Sequence, residues 1–148
     1  MIGIDTNVLI RYLTRDDELQ FEVARKLIQT GIAAEQPVLV SLLVLLEAEW
    51  VLRSCYKCPK ADIAAVFTSL LETRETAFED EQALEEALYS LKNSHADFAD
   101  CLIVTQGRRL GCISVATFDA KAGKLQGAEL LEVRTKDSQA NMQHDRNG

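Results

Sequence analysis

The chain has no apolar run long enough to cross a bilayer. Its longest, Leu42 to Leu46, falls far short of the ~20 residues a spanning helix needs. The opening residues carry no basic segment, and Asp5 breaks their apolar character, so a secretory leader is not expected and a cytoplasmic protein is. Positive charge is scarce: 16 lysines and arginines face 23 aspartates and glutamates, for a net charge of -7. That balance argues against a general nucleic-acid binder and suits a cation site or a basic partner, although local patches govern contact with phosphates. Histidine is limited to His95 and His144, which are isolated. Cys55 and Cys58 form a lone C-x-x-C, and Cys101 and Cys112 do not supply the second pair that a structural zinc requires. The thiols therefore read as buried or incidental. The chain has no P-loop, no Ser-His-Asp or Cys-His set, no internal repeat and no low-complexity linker.

What is present is 47% hydrophobic residues, patterned as one α/β domain over residues 1–134. A polar tail at 135–148, rich in Asn, Gln, Asp and Ser, reads as lying outside the fold. Ile2 and Ile4 suggest a short buried strand ended by Asp5, with Thr6 and Asn7 as turn and N-cap residues before a helix carrying Val8, Leu9, Ile10, Tyr12 and Leu13. A helix over 18–30 has Val23, Ala24, Leu27 and Ile28 as its apolar stripe and Gly31 as its stop signal. Val38 to Val40 is a strand, and Ser41 caps a helix over 42–54 that is apolar nearly all round and so belongs deep in the core. Helices follow over 60–72, 79–91 and 97–110, with an edge strand at 76–78 and further strands at 112–116 and 130–133.

Several acids stand out against this pattern. Glu49 has Arg53 four residues on, the arrangement of a surface ion pair. Glu47 is flanked by Leu43, Val44, Trp50 and Val51 with no base on its own helix, so it is neutral, paired across the fold, cation-bound, or snorkelling to solvent. Asp100 sits among Ala96, Asp97, Ile103 and Val104, again without a cation. Asp97 is a capping acid or the partner of Ser94 in a capping box. Asp5, which alone reads equally well as a helix cap, and Asp119 each follow a strand.

Alternating strands and helices imply a mostly parallel sheet of about five strands covered on both faces. Carboxyl ends of strands and starts of helices then share one edge, where open sheets bind ligands. Asp5, Glu47, Asp100 and Asp119 all fall at that edge. Two such charges about 5 Å apart repel by roughly 3 kcal/mol at an effective dielectric of 20, so four must take up protons or bind a cation. An all-oxygen donor set suits Mg²⁺ or Mn²⁺, which would lower the pKa of a water and neutralise a phosphodiester in hydrolysis.

From Met1 to Leu131 the chain resembles the PIN-domain ribonucleases, and among them the VapC toxins of type II toxin–antitoxin modules. The residues that carry the resemblance are Ile4-Asp5-Thr6-Asn7-Val8-Leu9, Val44-Leu45-Leu46-Glu47 with Trp50-Val51-Leu52, Asp97-Phe98-Ala99-Asp100-Cys101-Leu102-Ile103, and Thr117-Phe118-Asp119. The resemblance implies a five-stranded parallel sheet between helices, Mg²⁺-dependent RNA cleavage and restraint by a VapB-like antitoxin. It gives Asp5, Glu47 and Asp100 as the main metal ligands and catalytic acids, with Asp119 as the fourth. Asp97 would assist from behind, and Thr6 or Thr117 would orient a carboxylate or a water.

Arg11 and Arg15, one turn apart after Asp5, are the candidate contacts for RNA phosphates or an acidic antitoxin segment, and surface solvation is the alternative. Apolar residues beyond a monomer core would serve a homodimer or the antitoxin. Two other functions compete. An aspartate-nucleophile phosphatase would use Asp5, but Asn7 stands where its second acid belongs, and a receiver domain fits less well still. The other is a non-enzymatic module that keeps the fold for partner binding.

Overall fold

In the computed structural model, which describes residues 1–134, short polar side chains set most helix starts. Asp5, Asp17, Ser41 and Asp80 each accept a backbone N–H from the first turn of the helix that follows, satisfying donors that the helix itself leaves open. They open α1 (Thr6–Thr14), α2 (Glu18–Ala33), α3 (Leu42–Ser54) and α5 (Glu81–Lys92). Pro59 precedes α4 (Lys60–Thr73) and Asp97 precedes α6 (Phe98–Arg109), neither with a side-chain cap. Thr6 and Asn7 are thus already helical, and Asp5 is the cap that the sequence reading assigned to them. The expected tail at 135–148 lies outside the described residues.

The architecture is α/β with parallel pairing, as expected, but the strands are shorter and fewer. β1 (Val38–Val40) pairs with β2 (Thr76–Phe78), and β3 (Val115–Thr117) with β4 (Ala128–Leu130), both parallel. These make two separate two-stranded sheets among the described residues rather than one sheet of five. The opening segment contributes a single bridge, Gly3 to Leu39, fixed by Leu39 N–H to Ile2 O at 2.8 Å and Ile4 N–H to Leu39 O at 3.1 Å. β3 and β4 lie a few residues away from the expected 112–116 and 130–133, because a turn occupies 110–111 and Ile113 is fully exposed.

Gly31 does not stop α2, which runs on to Ala33. A Cβ at that position would meet the Gln36 carbonyl oxygen at 2.7 Å, and the Gln36 N–H donates to Gly31 O at 2.8 Å. The glycine permits a close backbone crossing ahead of β1. Of the expected α2 stripe, Ala24 and Ile28 are buried with Phe21, while Val23 faces out.

α3 is one-sided rather than enclosed. Leu45, Ala48 and Leu52 are buried, whereas Leu43 and Trp50 are 78% and 54% exposed. The two glutamates exchange the environments expected of them. Glu49 is the buried one, only 6% exposed and paired with Arg53 at 2.9 Å. Glu47 is exposed. Glu49 tolerates burial because its i+4 partner accompanies it and holds a hydrogen bond to it.

The core gathers side chains from all six helices and β1, with Phe67 of α4 set edge-on to Phe98 at 5.5 Å between ring centres. Phe98 is the first residue of α6, so this contact anchors the start of that helix. Elsewhere the Tyr12 hydroxyl donates to the Glu75 carboxylate, tying α1 to the turn before β2. Burial, followed by this bond, pushes the Tyr12 phenol up to about 12.

Three outcomes follow from this packing. Phe67→Ala should cost ~3–5 kcal/mol in urea unfolding. Glu49→Gln should cost about 1–3 kcal/mol, while Glu47→Gln stays within about 0.5 kcal/mol. Because the folded state favours the protonated Tyr12 phenol, its contribution to stability is intact below the ordinary pKa of about 10. It is lost as pH rises through about 12. Stability measured from pH 9 to 12 should therefore fall more steeply for the native chain than for Tyr12→Phe.

Candidate functional site

Asp5 stands between the opening segment and α1. One carboxylate oxygen accepts the Val8 N–H at 3.0 Å, while the other receives no hydrogen bond among the described residues. Asp5 and Glu47 line the same cleft, of ≈ 260 Å³, together with Thr6, Asn7, Leu43 and Val44. The cleft exists because α1 packs on α3, which brings the first helix start against the second turn of the third helix. Thr6 is buried at its base. Glu47 forms no ion pair or hydrogen bond among the described residues, unlike Glu49 on the opposite side of α3.

A second group forms around the start of α6. Asp100 is half-buried in the first turn, and its carboxyl is pushed above the usual carboxylate range by burial, then by the negative charges of Asp119 and Asp97. Asp119 follows β3. Its own N–H donates to the Thr117 hydroxyl at 3.0 Å and one carboxylate oxygen accepts the N–H of Ala122, the first residue of a short 3-10 turn, at 2.9 Å. Thr117 therefore orients the backbone of Asp119. Asp97 leaves the first turn of α6 uncapped, and Ser94 uses its hydroxyl on the Ala96 N–H at 3.3 Å, so the expected capping box is absent.

The structure thus collects the sequence-derived acids into two groups, Asp5 with Glu47 and Asp97 with Asp100 and Asp119. α3, which carries Glu47, packs against both α1, which Asp5 caps, and α6, which carries Asp100. Among the described residues, no three acids, histidines or cysteines are already gathered as a complete cation cage. The donor chemistry nonetheless fits a hard divalent ion: every candidate ligand is a carboxylate oxygen. Asp100 in particular is held among like charges without a hydrogen-bond donor or ion-pair partner among the described residues, and burial makes that charge costly. The four cysteines are free thiols, Cys101 buried and Cys55 and Cys112 exposed.

Three further residues have contacts near the site that local sequence spacing does not show. Glu79, just past β2, accepts the Leu42 N–H at 2.9 Å and so serves the start of α3. Its place one residue beyond a strand was the available signal. Arg53 lies close enough to feel Asp97 as well as Glu49, so one base supports the second acid group from across the fold. Lys60 binds the loop that leads into α6. The two arginines proposed for phosphate contact are engaged elsewhere. Arg11 binds Asp16 at 3.0 Å and Gln20 at 2.7 Å, and also reaches the Tyr56 hydroxyl. Arg15 stacks over the Phe21 ring at 4.1 Å.

No helix among the described residues is long and apolar enough to cross a membrane. No curated protein sequence matches the chain. A family model does: the PIN domain, over residues 2–127, a span that includes both acid groups. PIN domains are generally nucleases, a hydrolase chemistry that unpaired carboxylates at the ends of strands and the starts of helices are suited to serve. On this match, which takes in most of its length, the chain belongs to the PIN-domain family.

Proposed function

We propose that the chain is a divalent-cation-dependent endoribonuclease that acts as the toxin of a VapC-type toxin–antitoxin pair. The observation that carries this reading is the half-buried Asp100, whose charge is opposed by burial and by Asp119 and Asp97 and matched by no base among the described residues. A carboxylate so placed is stabilised by a cation. Asp5, Glu47, Asp100 and Asp119 would hold Mg²⁺ or Mn²⁺. Such an ion supplies positive charge to phosphate oxygens and makes a water acidic enough to attack near neutral pH.

The chain's own residues have separable tasks in this reading. Asp5 and Asp119 each keep one oxygen on a backbone amide, which fixes the carboxylate plane, and present the other. Glu47, on an exposed turn of α3, supplies a longer and unpaired side chain from across the cleft. Thr117 steadies the Asp119 backbone. Asp97, near Arg53, adds negative potential behind Asp100.

Restraint by a VapB-like antitoxin is supported by a groove of ≈ 450 Å³ between α1 and α2 that opens beside Asp5. Val8, Leu19, Val23, Ala24 and Leu27 form its apolar wall, and Arg11 stands at its edge. Leu19 and Val23 are largely exposed there, which suits an amphipathic partner segment. Exposed Ile103, Leu110, Ile113 and Phe118 offer apolar area for a second copy of the chain. The same groove favours the competing reading of a binding module without catalysis.

The purified chain, freed of any antitoxin, should cleave RNA with Mg²⁺ or Mn²⁺ and stop when the ion is chelated. Asp5→Asn, Glu47→Gln and Asp100→Asn should each lower the rate by more than the ~10–100-fold typical of losing an outer-shell partner. The same substitutions should relieve growth arrest on expression. A folded protein that binds a partner tightly yet cleaves no RNA and takes up no divalent ion would establish the binding module instead.

A further inference from the structure

The entry into α6 is held by a contact that comes from a different helix. The Lys60 ammonium, at the first residue of α4, donates to the Ala96 carbonyl at 2.8 Å and to the Ser94 carbonyl at 3.3 Å. Those carbonyls belong to the residues immediately ahead of Asp97. Ala96 is 1% exposed, so its carbonyl has little access to water and depends on a protein donor. Ser94 adds a weaker tie by accepting the Ala96 N–H. On the other side, Phe98 is fixed by Phe67 of the same α4. The first turn of α6 is therefore clamped to α4 both before and after Asp97.

This clamp does a task that the local sequence leaves undone. At α1, α2, α3 and α5 a side-chain cap sets the direction of the helix start, but Asp97 makes no such bond. Among the described residues its carboxylate makes no hydrogen bond, and Lys60 holds the residues ahead of α6 instead. Lys60 makes no ion pair with any acid among the described residues; both of its bonds go to neutral carbonyls. Its charge still reaches the first turn of α6, where it acts on the Cys101 thiol.

We propose that Lys60 is a positioning residue for the acidic site: by holding the Ser94 and Ala96 carbonyls it fixes the start of α6, and with it the Asp97 and Asp100 carboxylates, in the arrangement that receives a divalent ion. This rests on the reading of Asp100 as a metal ligand given above.

The sign of the effect separates positioning from simple electrostatics. Deleting a positive charge beside a cation site strengthens cation binding if charge alone matters. Loss of positioning weakens it. The experiment is a Mn²⁺ titration of the RNA-free chain by calorimetry, with thermal unfolding of each variant alongside. Lys60→Met, which keeps the aliphatic stem and removes the donors, should weaken Mn²⁺ binding about 10–100-fold, the range for loss of an outer-shell partner. Lys60→Arg should recover most of that loss. Lys92→Met removes a charge from the same α4–α5 groove that Lys60 lines and should leave Mn²⁺ affinity equal or higher. Should Lys60→Met fail to fold, Lys60→Gln, which retains an amide donor, takes its place with a smaller expected loss.

Native or tighter Mn²⁺ binding by the folded Lys60→Met or Lys60→Gln chain overturns the proposal. So does an equal loss in Lys92→Met, or an Arg variant that restores the unfolding temperature but not the affinity. Absence of Mn²⁺ binding by the native chain would instead defeat the metal-site reading itself.

Discussion

Asp100 sits in the first turn of α6, where partial burial makes its charge costly and Asp97 and Asp119 make it costlier. Folding alone would not favour such an arrangement, since each neighbour adds repulsion without a compensating bond. The fold nevertheless fixes it from several sides. Phe98 is locked against Phe67, Lys60 holds the preceding loop, and Thr117 holds the Asp119 turn. Rigid support around groups that repel one another is what the proposed cation site would require.

Much of this was legible in the sequence because it depends on short-range rules. Caps and spacing gave α3 its observed bounds and placed α4, α5 and α6 to within about two residues. They also put acids after strands and at helix starts. What the sequence could not give is which side of a helix faces inward when nearly every side is apolar. α3 has no polar face to settle the question, so its neighbours α1, α4 and α6 decide it. The rule that an unpaired carboxylate is costly to bury applies equally to Glu47 and Glu49. Arg53 made burial tolerable for Glu49, and Glu47 stayed in solvent at the cleft. The sheets are smaller than the apolar runs imply for a related reason. Short apolar runs show where strands can form, but not how many residues find ladder partners, and the segment at 2–4 finds only Leu39.

Long-range contacts such as Lys60 to Ala96, or Tyr56 to Asp16 at 2.6 Å, have no sequence signature at all. Tyr56 lies inside the lone C-x-x-C, whose thiols read as buried or incidental, and its hydroxyl joins the end of α3 to the corner between α1 and α2. The structure thus gives the tyrosine a bracing task in a motif that drew notice for its sulfurs.

Asp5 and Asp119 share a pattern: one carboxylate oxygen accepts a backbone amide while, among the described residues, its twin stays open. An amide side chain of the same shape still accepts from that amide, so exchange for asparagine silences the ionic role and leaves the local scaffold standing. Truncation to alanine would confuse the two, because a frayed helix start and a missing ligand look alike in an assay. Here the architecture itself dictates which substitution separates chemistry from folding.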